Sequence, residues 1–324
     1  MKYPGLNPRS SPRIFCAHMD TLIQAVNLVR RYGHRSAVDG LDIELARGDI
    51  LGFLGPNGAG KSTTMRMLTG NLAPHGGTVK INGVDLLERP LEAKRSLGYL
   101  PETPPLYREM TVDEFLIFAA RLNAVPKDHQ RDAVLLAKER CGLTDVGHRL
   151  IGNLSKGYQQ RVGIAQAIVH NPTVVVLDEP TVGLDPNQIR EIRQLIRELG
   201  EMHAVILSTH ILPEVQSLCN RVQIIDKGRT VYSARVADEE SAAEILLVAF
   251  DREPSLDDLV SLEGIQEADR LDNGRFQLRP YPDTAISALA GRLVAAGWGL
   301  RELTPQRRTL EQIFVELTTR ESVA

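Results

Sequence analysis

A glycine-rich segment, Gly55–Thr63 (GPNGAGKST), constrains the fold of this 324-residue chain more than any other feature. It matches the pattern G-x-x-x-x-G-K-[ST], directly follows the apolar run Ile50–Leu54 and precedes the helix-forming Met65–Leu68. Glycines let several backbone N–H groups converge on an anion, and the following helix adds the positive end of its dipole. The segment therefore predicts a phosphate-binding loop between a buried strand and a helix. A chance glycine-rich turn is the alternative, which this context disfavours.

The residue types within the loop predict how it would hold a nucleoside triphosphate. We expect Lys61 to bring a positive charge to the β- and γ-phosphates, and the Ser62 hydroxyl to be a ligand of Mg²⁺. The whole segment is expected to contact the nucleotide: Gly55, Pro56, Asn57, Gly58, Ala59, Gly60, Lys61, Ser62 and Thr63.

Two adjacent carboxylates, Asp178 and Glu179, follow a second apolar run, Thr173–Leu177. Ligand sites in parallel sheets form at the carboxyl ends of the strands, so we expect this pair beside the glycine-rich loop. Asp178 would be a ligand of Mg²⁺, directly or through water, and Glu179 would polarise the attacking water. A strand that simply ends in an acidic turn is the alternative, which becomes unattractive once the loop is considered.

The hydrophobic pattern predicts an α/β fold. From Leu22 onward, short apolar runs alternate with helical patterns, which is typical of a largely parallel sheet. Ala204–Leu207 is continuously apolar like a fully buried strand, whereas Leu41–Leu45 alternates like a half-exposed antiparallel strand. Between about residues 91 and 160 the pattern is mostly helical, with a capping box at Thr111–Glu114. The sequence therefore predicts a helical insertion within a mixed, largely parallel sheet.

The pattern changes again after about residue 237, where the predicted order is β-α-β-β-α-β, a split βαβ module. The strands are predicted at Ile245–Phe250, Ile265–Leu271, Phe276–Arg279 and Leu300–Leu303, and the helices at Ser255–Leu262 and Asp283–Ala296. We predict a disordered tail at 1–20, a nucleotide-binding domain at 21–236 with a helical subdomain at about 91–160, and an accessory α+β domain at 240–324, joined through Tyr232–Ala243.

Composition excludes several classes of protein. A formal net charge of −3 provides no global basic field for nucleic acid, which argues against a DNA or RNA role but leaves a local basic patch open. The three cysteines show neither a disulfide framework nor metal-ligand spacing. No apolar run reaches the 18 or so residues that cross a bilayer, so any membrane association is expected to be through a partner.

Together with the loop and the carboxylate pair, several further segments resemble the ATP-binding cassette (ABC) ATPases, which belong to the P-loop NTPase fold. They are Leu154–Arg161 (LSKGYQQR), which resembles the family signature, Gly183–Pro186 (GLDP) and Ser208–His210 (STH). The resemblance covers about residues 22–231. It implies ATP hydrolysis with Mg²⁺, a paired ATPase subunit, which is a second copy or a related one, and a separate integral-membrane permease.

The resemblance also implies roles for individual residues. Ser155 and Gly157 would grip the γ-phosphate held by the phosphate loop of the second subunit, and His210 would contact the same phosphate as a switch residue. Tyr32 would stack on adenine, which needs only a π face. Isolated, these residues are also compatible with a helix cap, a structural histidine and an exposed turn tyrosine.

This sequence departs from the family pattern at Glu102, where a glutamine is usual, and at Lys156 and Tyr158, where Gly and Gln are usual. A glutamate can still be a ligand of Mg²⁺, but it adds negative charge beside an anionic phosphate. These variants, with a C-terminal module that ends in Leu310–Leu317, resemble the ABC-2 exporter branch, especially the gliding-motility and copper-enzyme-maturation cassettes. That branch implies a peripheral position on the cytoplasmic face of the inner membrane.

Three other functions compete with that of a transporter ATPase. ABC ATPases that act on ribosomes carry two cassettes in one chain, whereas this chain has a single phosphate loop and a single signature. Chromosome-maintenance ATPases have a long coiled coil between loop and signature, and the segment between Ser62 and Ser155 lacks sustained heptads. A non-catalytic nucleotide sensor would not need Glu179 or His210. The sequence does not identify the transported substrate.

Overall fold

The structure is a computed structural model that describes residues 21–236, 245–271, 274–281, 284–306, 310–311 and 313–314. The predicted tail at 1–20 lies outside these residues. The strands are β1 Thr21–Tyr32, β2 Arg35–Ala46, β3 Ile50–Leu54, β4 Gly76–Ile81, β5 Val84–Asp85, β6 Leu97–Leu100, β7 Val174–Asp178, β8 Ala204–Thr209, β9 Arg221–Asp226, β10 Arg229–Arg235, β11 Ile245–Phe250, β12 Ile265–Arg270, β13 Phe276–Pro280 and β14 Leu300–Gln306. The helices are α1 Lys61–Leu68, α2 Pro90–Arg95, α3 Val112–Leu122, α4 Gln130–Arg140, α5 Lys156–Ile168, α6 Pro186–Gly200, α7 Leu212–Leu218, α8 Leu256–Ser261 and α9 Ile286–Ala295.

A six-stranded sheet in the order β10-β9-β3-β8-β7-β6 forms the centre of the molecule. The strands β9, β3, β8, β7 and β6 are parallel, and β10 adds an antiparallel edge. Every residue of β3, β7 and β8 is buried, as their continuous apolar runs predict. In the ladders, Leu54 pairs with Thr209 and Asp178 with Ser208, so the carboxyl ends of these three strands meet at one edge.

A second, antiparallel sheet in the order β2-β1-β4-β5 covers one side of the first. In β2, Leu41, Ile43 and Leu45 are buried while Asp42 is exposed, which confirms the alternating pattern predicted there. The turn between β1 and β2 brings Tyr32 and the residues after it over the phosphate loop.

A group of helices, α3 to α5, lies between β6 and β7 and confirms the predicted helical insertion. Helix α3 begins at the predicted capping box: the Thr111 hydroxyl accepts from the Glu114 amide, and the Glu114 carboxylate accepts from the Thr111 amide at 2.8 Å. Helix α5 packs against β6 so closely that a Cβ on Gly98 would lie 2.2 Å from the Ala167 carbonyl oxygen. This contact anchors the insertion to the edge of the parallel sheet.

The C-terminal part has a third sheet in the order β12-β13-β11-β14 with antiparallel neighbours, together with α8 and α9. The order β-α-β-β-α-β confirms the predicted split βαβ pattern. Helix α9 begins at Ile286 rather than Asp283, which lies outside the described residues. The predicted connection was wrong at its start, because Tyr232–Arg235 pairs with β9 as part of β10. Among the described residues no helix is long and apolar enough to span a bilayer.

Candidate nucleotide-binding and hydrolysis site

The phosphate loop lies between β3 and α1, as predicted. Gly60 adopts φ 111° directly before the first residue of α1, and Gly58 adopts φ 82°. A Cβ on Gly60 would lie 2.4 Å from the carbonyl oxygen of Ala37. Both the backbone conformation and this close approach therefore require glycine at position 60. The resulting curl leaves the loop amides and the first turn of α1 facing an open cavity.

That cavity has a volume of about 510 Å³ and is lined by residues from five separate segments. Its lining comprises Tyr32, Arg35, Ala37, Asn57, Gly58, Gly60, Lys61, Ser62, Thr63, Glu102, Glu179, Val182 and His210. Ten of the predicted site residues are in this set. Gly55, Pro56, Ala59 and Asp178 lie behind the lining, whereas Ser155 and Gly157 lie elsewhere on the same chain.

The Lys61 side chain is buried under the loop. Its ammonium donates to the carbonyl oxygens of Gly55 at 2.8 Å and Pro56 at 3.3 Å, and lies 3.6 Å from a carboxylate oxygen of Glu179. The ammonium therefore lies where phosphate oxygens would enter the loop.

Asp178 is buried at the end of β7, directly below Ser62. Its carboxylate accepts a hydrogen bond from the Ser208 hydroxyl at 2.5 Å, and the Ser62 hydroxyl lies 3.5 Å away. Burial raises the pKa of Asp178 above its usual value, the Ser208 hydrogen bond opposes that shift, and the charges of Glu102 and Glu179 add to it. The site thus concentrates negative charge that a cation would relieve.

Glu179 and His210 form a direct pair at the ends of neighbouring strands. The His210 Nδ1 lies 3.0 Å from one carboxylate oxygen of Glu179. Glu179 has a positive φ of 49°, and its amide donates to the Ser208 hydroxyl at 3.1 Å. This left-handed conformation is uncommon for glutamate and turns its side chain from the sheet towards the cavity. The pair faces the cavity opposite the phosphate loop.

Tyr32 lies at the rim of the cavity, and the residue is 47% exposed. The guanidinium of Arg30 lies 5.2 Å from the centre of the Tyr32 ring. One ring face is thus supported by a cation, which leaves an exposed aromatic surface beside the phosphate loop. Such a surface suits stacking of a planar base.

Glu102 follows β6 and reaches the cavity from the side of the helical insertion. Its carboxylate is close enough to raise the pKa of Asp178, which is the electrostatic effect expected of a glutamate at this position. A neutral glutamine would not contribute that repulsion.

Ser155 and Gly157 lie at the start of α5, away from the cavity of their own chain. Ser155 is the N-cap, and its hydroxyl accepts from the Tyr158 amide at 3.4 Å. A Cβ on Gly157 would lie 2.5 Å from the Gln188 side chain of α6, and the ammonium of Lys156 covers Gly183. The structure therefore brings the signature-like segment next to the Gly183–Pro186 loop rather than next to Lys61.

Sequence reasoning missed several residues around the site. Ser208 contacts both Asp178 and Glu179, although only His210 was singled out in its segment. Arg35 and Val182 line the cavity without having been predicted. The polar end of the apolar run in β8 was the available signal for Ser208, because a hydroxyl at the end of a buried strand needs a partner.

Comparison with known proteins finds relatives that are described as ATP-binding proteins. The family model described as "ABC transporter" matches residues 38–182. The chain is 40% identical over 213 residues to the bacitracin transport ATP-binding protein BcrA of Bacillus licheniformis, covering 65% of this chain and 69% of that protein. It is 31% identical over 310 residues to the daunorubicin/doxorubicin resistance ATP-binding protein DrrA of Streptomyces peucetius, covering 91% and 92%. It is 32% identical over 302 residues to the uncharacterized ABC transporter ATP-binding protein YdbJ of Bacillus subtilis, covering 93% and 96%.

Solved structures resemble the part of the chain that contains the cavity. A structure titled as the ATP-binding subunit of an ABC transporter aligns with a TM-score of 0.62 and 30% identity, covering 68% of this chain and 92% of that one. A second, cbiO1 from Clostridium perfringens, part of the ABC transporter complex cbiONQ, aligns with a TM-score of 0.62 and 28% identity, covering 69% and 92%. The dimeric cassette MJ0796 has the same fold, with a TM-score of 0.61 at 23% identity, covering 66% and 99%.

Proposed function

This chain belongs to the ATP-binding subunits of ABC transporters, which bind and hydrolyse ATP to drive transport, and we propose that it energises an ABC-2 type exporter through a separate membrane permease. The observation that carries the proposal is that the phosphate loop and the Glu179–His210 pair line the same cavity, on opposite sides. A loop that only bound nucleotide would not need a buried base and a histidine on the opposite wall.

We assign Mg²⁺ to the space between the phosphate loop and the end of β7. The available donors there are the oxygens of Ser62, Asp178 and Glu102, and Mg²⁺ prefers oxygen ligands. Within the described ranges, no cluster of three or more His, Cys, Asp or Glu side chains is arranged to hold a metal. The three oxygen donors of Ser62, Asp178 and Glu102 fit an ion that shares its coordination with nucleotide phosphates and water, as Mg²⁺ does. When bound, it would neutralise charge that develops on the phosphates.

We assign hydrolysis to Glu179, with His210 and Lys61 in supporting roles. In the structure Lys61 contacts Glu179 and the loop carbonyls, so ATP would replace these contacts with phosphate oxygens. Glu179 would then be released to accept a proton from, or orient, the attacking water. His210, whose Nδ1 contacts Glu179, would also contact the γ-phosphate and so keep the carboxylate aligned with it. The loop residues 55–63 would bind the phosphates, and Tyr32 would stack on adenine.

The second subunit supplies the remaining residues of the proposed site. Ser155 and Gly157 lie away from the cavity that contains Lys61 in the same chain, although Ser155 and the start of α5 are suited to bind an anion. We propose that they contact the γ-phosphate held by a paired ATPase subunit, so that ATP binds the closed dimer better than the open one. Such a difference in affinity is what allows a ligand to shift a conformational equilibrium.

The proposal of export rests on relatives whose names refer to bacitracin transport and to daunorubicin/doxorubicin resistance. We propose a peripheral location at the cytoplasmic face of the inner membrane, where ATP is available and a permease can be contacted. The finer likeness to gliding-motility and copper-enzyme-maturation cassettes stays a prediction. Affinity capture of this protein from solubilised membranes tests the partner: a multi-span protein is expected to be co-purified.

The hydrolytic assignment is tested with Glu179→Gln, which keeps the shape of the side chain but removes the base. We expect ATP binding to persist and steady-state hydrolysis to fall by about 100-fold or more, the usual contribution of a general base. Size-exclusion chromatography with Mg²⁺ and ATP should show an accumulated dimer. Lys61→Ala is the matched control, since it should lose ATP binding and dimer together. Hydrolysis at the wild-type rate in Glu179→Gln would contradict the assignment.

A further inference from the structure

Glu214, in α7, is a completely buried carboxylate that the hydrolysis described above does not use: its relative exposure is 0%. Removing a carboxylate from water is costly unless hydrogen bonds or opposite charges compensate. The groups that contact Glu214 therefore indicate which part of the structure this buried carboxylate stabilises.

One carboxylate oxygen of Glu214 binds the segment that follows Glu179. The Thr181 hydroxyl donates to Oε1, and the guanidinium of Arg193 in α6 lies 3.7 Å from the same oxygen. Thr181 is two residues after Glu179 in the turn whose Val182 amide donates to the Glu179 carbonyl at 3.3 Å. Holding Thr181 therefore holds the turn that aims the Glu179 side chain.

The other oxygen binds the segment that carries His210. The Thr209 hydroxyl donates to Oε2 of Glu214 at 2.8 Å, and the same hydroxyl accepts from the Ile211 amide at 3.0 Å. Thr209 and Ile211 flank His210 on both sides. The hydroxyl that Glu214 fixes thus connects the residue before the histidine to the backbone amide of the residue after it.

Glu179 and His210 need such a connection because they come directly after the last residues of β7 and β8. The last pair of the β7–β8 ladder is Asp178 with Ser208, so Glu179 and His210 both come after it. We propose that Glu214 is a positioning residue for ATP hydrolysis, whose carboxylate ties the turn after Glu179 to the segment around His210 and keeps this pair at 3.0 Å. The inference rests on the roles proposed above for Glu179 and His210.

The chemistry of the three partners favours a carboxylate at this position. Two hydroxyl donors and one guanidinium surround it, and only a carboxylate offers two acceptor oxygens with a negative charge. An amide has one acceptor oxygen, so Glu214→Gln would leave one of the threonine hydroxyls to reorient. The side chain therefore matches a role as a two-sided acceptor better than a role as simple core filling.

The test removes each hydroxyl while keeping its volume. Thr181→Val and Thr209→Val, together with Glu214→Gln, are expected to lower kcat by about 10-fold, while KM for ATP changes by less than about 2-fold, because a misplaced catalytic group affects turnover rather than binding. Thr181→Ser and Thr209→Ser keep the hydroxyl and should retain most of the wild-type kcat. If Glu214→Gln fails to fold, the threonine variants still decide the question.

Thr69→Val is the matched control. Thr69 is also buried, and its hydroxyl donates to the Met65 carbonyl at 2.9 Å, away from the cavity. It should lose stability but not kcat. In a His210→Ala background, Thr209→Val should cause no additional loss of the residual rate, because its effect acts through His210.

Three results would overturn the inference: unchanged kcat in both valine variants, an equal loss of kcat in Thr69→Val, or serine variants as impaired as the valine ones. A wild-type protein that does not hydrolyse ATP would instead contradict the proposed function itself.

Discussion

At the scale of single residues, the site brings together carboxylates whose negative charges repel one another. Asp178 is buried, and its pKa is raised by burial and by the charges of Glu102 and Glu179, against the effect of the Ser208 hydrogen bond. The Lys61 ammonium forms an ion pair with Glu179 at 3.6 Å. The carboxylates therefore form an electrostatically unfavourable arrangement, which a bound nucleotide with its cation would relieve. Glu102 makes that arrangement more unfavourable than a glutamine would.

A prediction follows for Asp178→Asn, which keeps an acceptor oxygen for Ser208 but removes the charge. We expect the nucleotide-free variant to be more stable at neutral pH by roughly 1 kcal/mol, a common size for a stabilising substitution, and to lose hydrolysis. A native pKa above the unfolded value means that the native state binds the extra proton, so wild-type stability falls as pH rises through the interval between the two.

Urea unfolding of both proteins at several pH values measures this difference. The advantage of the variant should shrink towards pH 4 and below, near the ordinary Asp pKa of 3.8, where the carboxylate is protonated in both states. An advantage that is independent of pH would contradict the electrostatic explanation.

At the scale of elements, local sequence signals determine where the helices near the site begin. Asp185 accepts from the Asn187 and Gln188 amides at 3.0 Å and starts α6, and Ser155 starts α5. Thr111 and Glu114 start α3 through a reciprocal pair of bonds. These caps satisfy amides that have no partner within the helix. The cap at Thr111 lies outside the cavity, and neither Thr111 nor Glu114 belongs to the proposed site.

The cap of α3 can therefore be separated from catalysis. Thr111→Ala should lower the free energy of unfolding by about 1 kcal/mol, the typical contribution of an N-cap, while kcat stays unchanged. Urea unfolding and an ATPase assay measure the two quantities. Thr144→Ala is the control in the same insertion, since Thr144 is exposed and shows no side-chain hydrogen bond among the residues described. Equal destabilisation by both would argue against the capping box.

At the scale of the whole molecule, two hydrophobic cores are formed on the two faces of the parallel sheet, and a third is formed in the C-terminal sheet with α8 and α9. Leu310 belongs to the core that includes the helical insertion, and Ile313 and Phe314 pack against it. The chain thus returns to its first part after completing the third sheet. We propose that residues 240–324 form an accessory unit that contacts the core of the first part through Leu310, Ile313 and Phe314.

The separation of Ser155 from Lys61 leads to a prediction about pairs of subunits. Lys61→Ala and Ser155→Ala should each inactivate a homodimer, but mixing them after dissociation should restore activity. Random pairing of two-fold dimers gives heterodimers with one intact site, so about a quarter of the wild-type rate is expected if the sites act independently. A mixture of Lys61→Ala with the double variant is the control, because no site is intact. Failure of the first mixture to exceed this control would contradict a site shared between subunits.

Much of this arrangement follows from local sequence. The phosphate loop, the buried strands before it and before Asp178, and the caps of the helices depend on residues that are close together in the chain. Gly60, for example, is required by a positive φ and a close carbonyl, and its place in a known pattern predicted both a turn and a ligand. The split βαβ order was predicted for the same reason, since each of its elements has a period of its own.

Contacts between distant segments could not be predicted in this way. The sequence by itself determined a strand, a glycine-rich loop and a carboxylate pair, because periodicity and turn chemistry are local properties. Only the tertiary structure decided that Glu214 accepts from both Thr181 and Thr209, and that Ser155 faces away from Lys61 of the same chain. Which hydroxyls meet a buried carboxylate depends on how α7 packs against β3 and β8, and no local pattern encodes that packing.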